Sequence, residues 1–367
     1  MKKKFLVNKA WGSILIYLII SVLFFIIIAH NVLMGKINFQ FYADTKTYEK
    51  VARLGNMESL VDVGWNLFGP VKILSILGYQ NYWGLFIFNV FILILALYYI
   101  SRDKSVYLRK LFFLIIISPI TFFSLFSVNK EIISLLCISL IIYNHTKNKF
   151  LITLLILFMS YLVRWQFTMF YLIYLLFYSR YNFLKNRKAI SFTLLLVVIS
   201  ILLFFVQYTM FSDLFDVYYS RGLKDHTTGL GSFEIIMKIQ TKLGYIFAFI
   251  PKTLHLMTGM IVRYRYVLDF SDAYNNFVLF FQAPLNLYLL FLNYKRRLFS
   301  FKNEYFFMAL LYCAVFAITP VYAIRYFYPV SILLAYSYAA SFDVNCAYRL
   351  KKVHKSFQNH SEQNVNL

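Results

Sequence analysis

Arg164 stands in the middle of an apolar run, Tyr161-Leu162-Val163-Arg164-Trp165-Gln166. A guanidinium offers a planar, two-pronged set of donors that suits phosphate oxygens. Charged side chains at membrane depth are costly, so they default to functional candidates. Snorkelling to the interface is the bland alternative for Arg164; Gln166 beside it favours a polar cavity. Arg325 has a similar setting, between two apolar stretches and between Pro320 and Pro329, with Tyr326 next to it. Prolines in membrane helices free backbone groups that must then line protein or water.

The remaining candidates fall in loops. Asp44 opens the stretch Asp44-Thr45-Lys46-Thr47-Tyr48-Glu49-Lys50, with Tyr48 one helical turn later and Arg53 beyond it. A carboxylate there can take a proton from a hydroxyl as general base, or simply cap a helix starting at Thr45. Val128-Asn129-Lys130-Glu131 makes a tight turn between two apolar segments. Lys130 can face a diphosphate or be an ordinary interfacial residue, while Glu131 at a helix start is favoured by the helix dipole. The segment Tyr218–Ser232 holds Arg221, His226 and several glycines, the make-up of a mobile lid. A single histidine such as His226 is more often a surface residue than a catalyst. Arg263 and Arg265, beside Tyr264 and Tyr266, read as interfacial anchors.

Several chemistries lack their motifs. The chain has no DxD, HExxH or GxSxG, and no phosphate-cradling GxxxxGK[ST] or GxGxxG. Cys137, Cys313 and Cys346 form no CxxC and no Cys/His ligand spacing, so neither a zinc site nor a disulfide framework is expected. Asp213 and Asp216 are a weak, unspecific metal pair. No metal and no cofactor is expected.

The elements that must position these residues are membrane helices. Of the 367 residues, 61% are hydrophobic and 14% charged, against roughly 25% charged in a soluble domain. The net charge of +22 suggests nucleic acid. However, the basic residues sit in short loops, as the positive-inside rule requires, and no basic module remains to bind nucleic acid. A span needs about 20 apolar residues. Gly12–Ala29, Trp83–Ile100, Leu111–Ser127, Glu131–Asn144, Ala189–Phe211, Asn276–Asn293, Tyr305–Tyr322 and Tyr326–Ser341 qualify or come near. Phe150–Tyr178 is too long for one upright helix and splits in two at Arg164. Gly12–Ala29 reads as a retained first helix, since it exceeds the roughly 7–15 apolar residues of a signal core.

The expectation is an all-α, polytopic integral membrane protein. It has about ten transmembrane helices (range 9–12), with both termini cytoplasmic. Residues 1–342 form one membrane domain and 343–367 a cytoplasmic polar tail. Outer loops cover about 30–82 and 212–275. The second holds an interfacial amphipathic helix at about 234–250, where Ile235, Ile236, Ile239, Leu243, Ile246 and Ile250 recur at helical spacing; a true span over Tyr245–Val262, which is apolar enough, is the alternative. With the N-terminus inside, every inside segment is short and basic. Acidic residues other than Asp103, Glu304, Asp343 and Glu362 fall outside.

The pattern resembles the bacterial O-antigen and exopolysaccharide polymerases. The similarity lies in a basic start, a first outer loop of the Asp-x-x-x-Tyr type (Asp44 to Tyr48) and a charged turn after the third helix (Asn129-Lys130-Glu131). It continues with an arginine between two short helices (Arg164), a large late outer loop and Arg325-Tyr326 near the last helix. These motifs are short, though they extend over most of the chain; many relatives carry Arg-Gln where this chain has Lys130-Glu131. The resemblance implies a glycosyltransferase of the bacterial inner membrane with a periplasmic active site. It would join oligosaccharide repeat units carried on undecaprenyl diphosphate, with a chain-length regulator as partner and membrane lipid around it. Asp44, Arg164 and Arg325 would be catalytic. Tyr48, Arg53, Lys130, Gln166, Arg221, His226 and Tyr326 would bind substrate. Guanidinium groups would neutralise the leaving diphosphate without a metal. A GT-C-type glycosyltransferase using a lipid-phosphate sugar donor shares this layout. A flippase for lipid-linked oligosaccharide is a further alternative, disfavoured because no internal repeat is visible.

Overall fold

The computed structural model of the chain describes residues 2–37, 45–54, 68–102, 106–128, 130–179, 182, 184, 186–208, 230–259, 276, 278–319 and 324–342. Every regular element among them is helical. The first helix, α1 (Lys2–Phe24), runs on through a π-helical turn, Phe25–Ala29, to Leu33. Next come α2 (Thr45–Leu54), α3 (Phe68–Leu77), α4 (Tyr82–Ser101), α5 (Leu108–Ile116) and α6 (Pro119–Phe123). Then follow α7 (Lys130–Lys147), α8 (Phe150–Val163), α9 (Trp165–Tyr178) and α10 (Lys188–Tyr208). After these come α11 (Leu230–Leu243), α12 (Tyr245–Thr258), α13 (Leu279–Lys295) and α14 (Glu304–Phe316). A 3₁₀ turn, Ile324–Phe327, leads into α15, residues 328–342.

Among the described residues, three helices are long and apolar enough to cross a bilayer: Ala10–Leu33, Tyr82–Ser101 and Lys188–Val206. Their outward faces are apolar, with Ile16, Ile87 and Phe204 all at least 60% exposed. Such surface suits lipid rather than water. The sequence reading gave about ten spans, and the difference has local causes. The run Leu111–Ser127 is two helices, because Ser118 leaves helical geometry, caps α6 with its hydroxyl and is followed by Pro119 at the first helical position. Tyr305–Tyr322 yields a helix that ends at Phe316. Apolar length thus overstated helix length.

Helix α7 is the centre. Its residues from Lys130 to Ile142 are all buried, as expected of a helix enclosed on every side. It packs on α4 and α8, α8 packs on α9 and α3, and α9 packs on α14. Polar side chains tie the bundle where backbone groups would otherwise go unpaired. Asn89 of α4 donates to the carbonyls of Leu125 (3.1 Å) and Ser127 (2.9 Å), fixing the irregular chain just before α7. Along α13, Gln282 links Ser118 (2.7 Å) to Asn286 (2.9 Å). Asn286 also bonds Ser331 Oγ (2.6 Å) and the carbonyl of Met257 (3.0 Å). Asn293 donates to Leu334 O at 3.0 Å. Such interhelical hydrogen bonds replace the hydrophobic drive that lipid removes.

The single amphipathic helix read at about 234–250 is not formed. Gly244, at φ +93°, breaks it into α11 and α12, which fold against one another. A left-handed φ is costly for any side chain with a Cβ. α12 buries Tyr245, Ala248, Phe249, Lys252, Leu256 and Met257. It packs on α10, α13 and the 3₁₀ turn. Lys252, fully buried, donates to Gln240 Oε1 on α11 and to the carbonyl of Ala317 (2.9 Å). The remaining parts of the 212–275 loop, of the 30–82 loop and the 343–367 tail lie outside the described residues.

Candidate functional site

Helices α8 and α9 stop and start at Arg164, which is extended (φ −164°, ψ 136°). Ser160 braces the break, accepting the Arg164 amide at its carbonyl (2.9 Å) and donating its hydroxyl to Thr168 (3.1 Å). On the side facing α3, Gly69 lets that helix approach closely. A Cβ there would fall 1.9 Å from the carbonyl oxygen of Leu162. The arginine is therefore held in position by backbone as well as by its own contacts.

Its guanidinium reaches the start of α7. Arg164 Nη2 donates to Glu131 Oε1 at 3.0 Å, with the two side chains 8% and 3% exposed. The ring of Tyr326 lies 4.1 Å from the guanidinium carbon, within cation–π range. Arg325 and Tyr312 are close enough to act on Arg164 electrostatically. Behind them stands an aromatic wall: Tyr312 stacks on Phe316 at 4.1 Å and meets Phe167 and Phe170 edge-on. Gln166 Oε1 and Tyr312 OH are buried in this region without a hydrogen-bond partner among the described residues. Native interiors pair such atoms, so orphans of this kind ask for a water or a ligand.

Lys130 and Glu131 point apart, as neighbours on a helix do when about 100° separates them. Lys130, 6% exposed, directs Nζ towards the Tyr48 ring at 5.8 Å. Tyr48 is 2% exposed and packs with Val51, Ala52, Val71, Leu74, Leu85 and Val128. Glu49 accepts from the Tyr82 hydroxyl, with exposed Arg53 nearby. These contacts dock the first loop helix, α2, beside the turn that carries Glu131.

Of the residues singled out in the sequence, Arg164, Arg325 and Tyr326 thus converge, Gln166 opens α9 two residues from Arg164, and Lys130 with Tyr48 adjoins through α7. Arg53 stays on the exposed face of α2. Asp44, Arg221 and His226 lie outside the described residues. In the sequence Glu131 reads only as a charge at a helix start, and no motif marks Tyr312. A signal for Glu131 was present, since it is the only acidic residue of α7.

The opposite ends of the same helices carry a second polar group. His145 Nδ1 and Tyr174 OH are 2.8 Å apart, Lys188 pairs with Glu304 at 2.5 Å, and Tyr178 donates to Glu304. A cavity of about 1350 Å³ opens there, lined in part by Asn148, Arg187, Lys188 and Lys302. Lys110 and Arg296 both face the Phe342 ring, at 3.4 and 4.2 Å.

No family model, curated protein or solved structure matches the chain significantly. What the site does must be read from its residues.

Proposed function

We propose that the chain is a membrane glycosyltransferase that joins oligosaccharide repeat units carried on undecaprenyl diphosphate, at the outer face of a bacterial inner membrane. The observation that carries this reading is the buried Arg164–Glu131 pair, with the half-buried Tyr326 ring against the guanidinium and half-buried Arg325 close by. Three separate stretches of chain place charge at one spot inside an apolar bundle, an expensive arrangement that function best explains. Arg164 and the nearby Arg325 place two guanidinium groups at this spot, which suits an anionic ligand. A lipid diphosphate supplies that anion, and it is also the leaving group whose growing charge fixed cations stabilise.

The acceptor is a sugar hydroxyl of a second lipid-linked unit. Its oxygen attacks the anomeric carbon, the bond to the diphosphate oxygen breaks, and the diphosphate leaves with the electron pair. Asp44 is the base in this proposal and takes the hydroxyl proton. Gln166 Oε1 and Tyr312 OH are suited to hydrogen-bond a hydroxyl-rich ligand. A chain-length regulator is the partner this reading calls for.

The basic groups support the proposed orientation. Arg187, Lys188 and Lys302 share one cavity, and Lys110 and Arg296 meet on the Phe342 ring. All belong to segments the charge rule assigns to the cytoplasm, at the helix ends opposite Arg164. The test is purified protein in lipid nanodiscs with lipid-diphosphate-linked repeat units. Products of several joined units are expected; addition of one sugar at most, from a lipid-phosphate donor, would overturn the proposal in favour of a GT-C-type enzyme.

A further inference from the structure

Resting on that reading, we infer that Glu131 is a resident counter-ion that holds Arg164 ready and yields it to the diphosphate of an incoming lipid-linked sugar. An arginine in an apolar bundle needs an anion at all times, because an unpaired buried charge is strongly destabilising. When the site is empty, Glu131 fills that need. The form of the pairing suits exchange. A structural arginine–carboxylate pair is commonly bidentate, two parallel hydrogen bonds on one fork. Here the contact is single, Nη2 to Oε1 at 3.0 Å, and it is the one hydrogen bond the Arg164 side chain makes among the described residues. A guanidinium has five N–H donors, so most of the fork is not committed to Glu131.

The surroundings favour the same exchange. The Tyr326 ring covers one face of the guanidinium, and the Ser160–Thr168 brace fixes the backbone on either side. Arg164 therefore stays in place when its anion changes. Arg325 adds a second positive charge close by. A diphosphate carries more negative charge than one carboxylate and so draws both guanidinium groups more strongly. Glu131 then acts as a positioning residue and as a filter: an anion weaker than a diphosphate does not displace it.

Removing the competing anion should tighten binding of the true one. The experiment measures binding of inorganic diphosphate to the purified full-length chain in nanodiscs, by calorimetry, for wild type, Glu131→Gln, Glu131→Asp and Arg164→Ala. Glu131→Gln is expected to bind about tenfold tighter than wild type, the scale of one charge-assisted hydrogen bond no longer in competition. Glu131→Asp, with a shorter reach, should fall between them. Should Glu131→Gln fail to fold, isotope-edited infrared spectra of the wild type replace it, with a shift of a buried carboxylate band expected on adding diphosphate. Equal or weaker binding by both folded Glu131 variants, or an unmoved carboxylate band, would overturn the counter-ion role while leaving the diphosphate site intact. Wild-type affinity retained in Arg164→Ala, or no binding by any form, would instead overturn the reading beneath it.

Discussion

Arg164 and Glu131, 33 residues apart in sequence, meet at 3.0 Å inside the bundle, and each is almost wholly buried. Their meeting joins the break between α8 and α9 to the first turn of α7. It also brings Tyr326, from a third stretch of chain, against the same guanidinium.

The fork of Arg164 is what matters, not its charge alone. Arg164→Lys keeps the charge, yet a lysine cannot present a planar pair of donors. Transfer activity should fall at least about a hundredfold, within the range for loss of one preorganised donor in a low-dielectric site. Membrane levels should stay near wild type. Activity within a few fold of wild type would show that charge suffices.

At Tyr326 the ring carries the interaction. Tyr326→Phe keeps the face turned to Arg164 and should leave activity near normal. Tyr326→Leu removes it and should lower activity about five- to thirtyfold, the worth of a desolvated cation–π contact. Equal loss in both variants would point to the hydroxyl instead.

Gly69 tests the backbone support of the site. Alanine there would place Cβ 1.9 Å from Leu162 O, two residues before Arg164, so one helix must move. Gly69→Ala should cost about 1–3 kcal/mol of stability, as overpacking does, and reduce activity. Gly12→Ala is the control, since nothing lies within 4 Å of a Cβ at that position. Unfolding midpoints in detergent, measured side by side, decide the point.

Lys252 ties α11 and α12 to the end of α14 through Gln240 and Ala317 O. Lys252→Met leaves both acceptors without this donor and should destabilise the protein by about 1–3 kcal/mol. The hairpin should then become more open to protease than it is in the wild type. Unchanged proteolysis would mean that packing alone seats α12.

The sequence made part of this arrangement legible. The apolar composition indicated helices, and Arg164 in its uncharged run marked the break that separates α8 from α9. Arg325 and Tyr326 were recognisable for the same reason, as polar groups that an apolar chain has no cause to place there. The partner of Arg164 was not legible, because an ion pair across 33 residues depends on how α7 and α8 pack. Nor was the end of the amphipathic pattern at Gly244. Periodicity counts side chains and is blind to a positive φ, so Ile235 to Ile250 looked continuous where the chain turns back. Helix lengths were overstated for a related reason: Ser118-Pro119 is as compatible with an apolar run as with a cap, and only the backbone distinguishes them.

The joining reaction itself is read by a gel of surface lipopolysaccharide from a strain that lacks this gene. The expected result is a band of core plus a single repeat unit, with the ladder of longer chains gone and restored by the wild-type gene but not by Arg164→Ala. Loss of even the single repeat would contradict it, placing the protein at an earlier transfer or at export. An undisturbed ladder would remove the protein from this chemistry altogether.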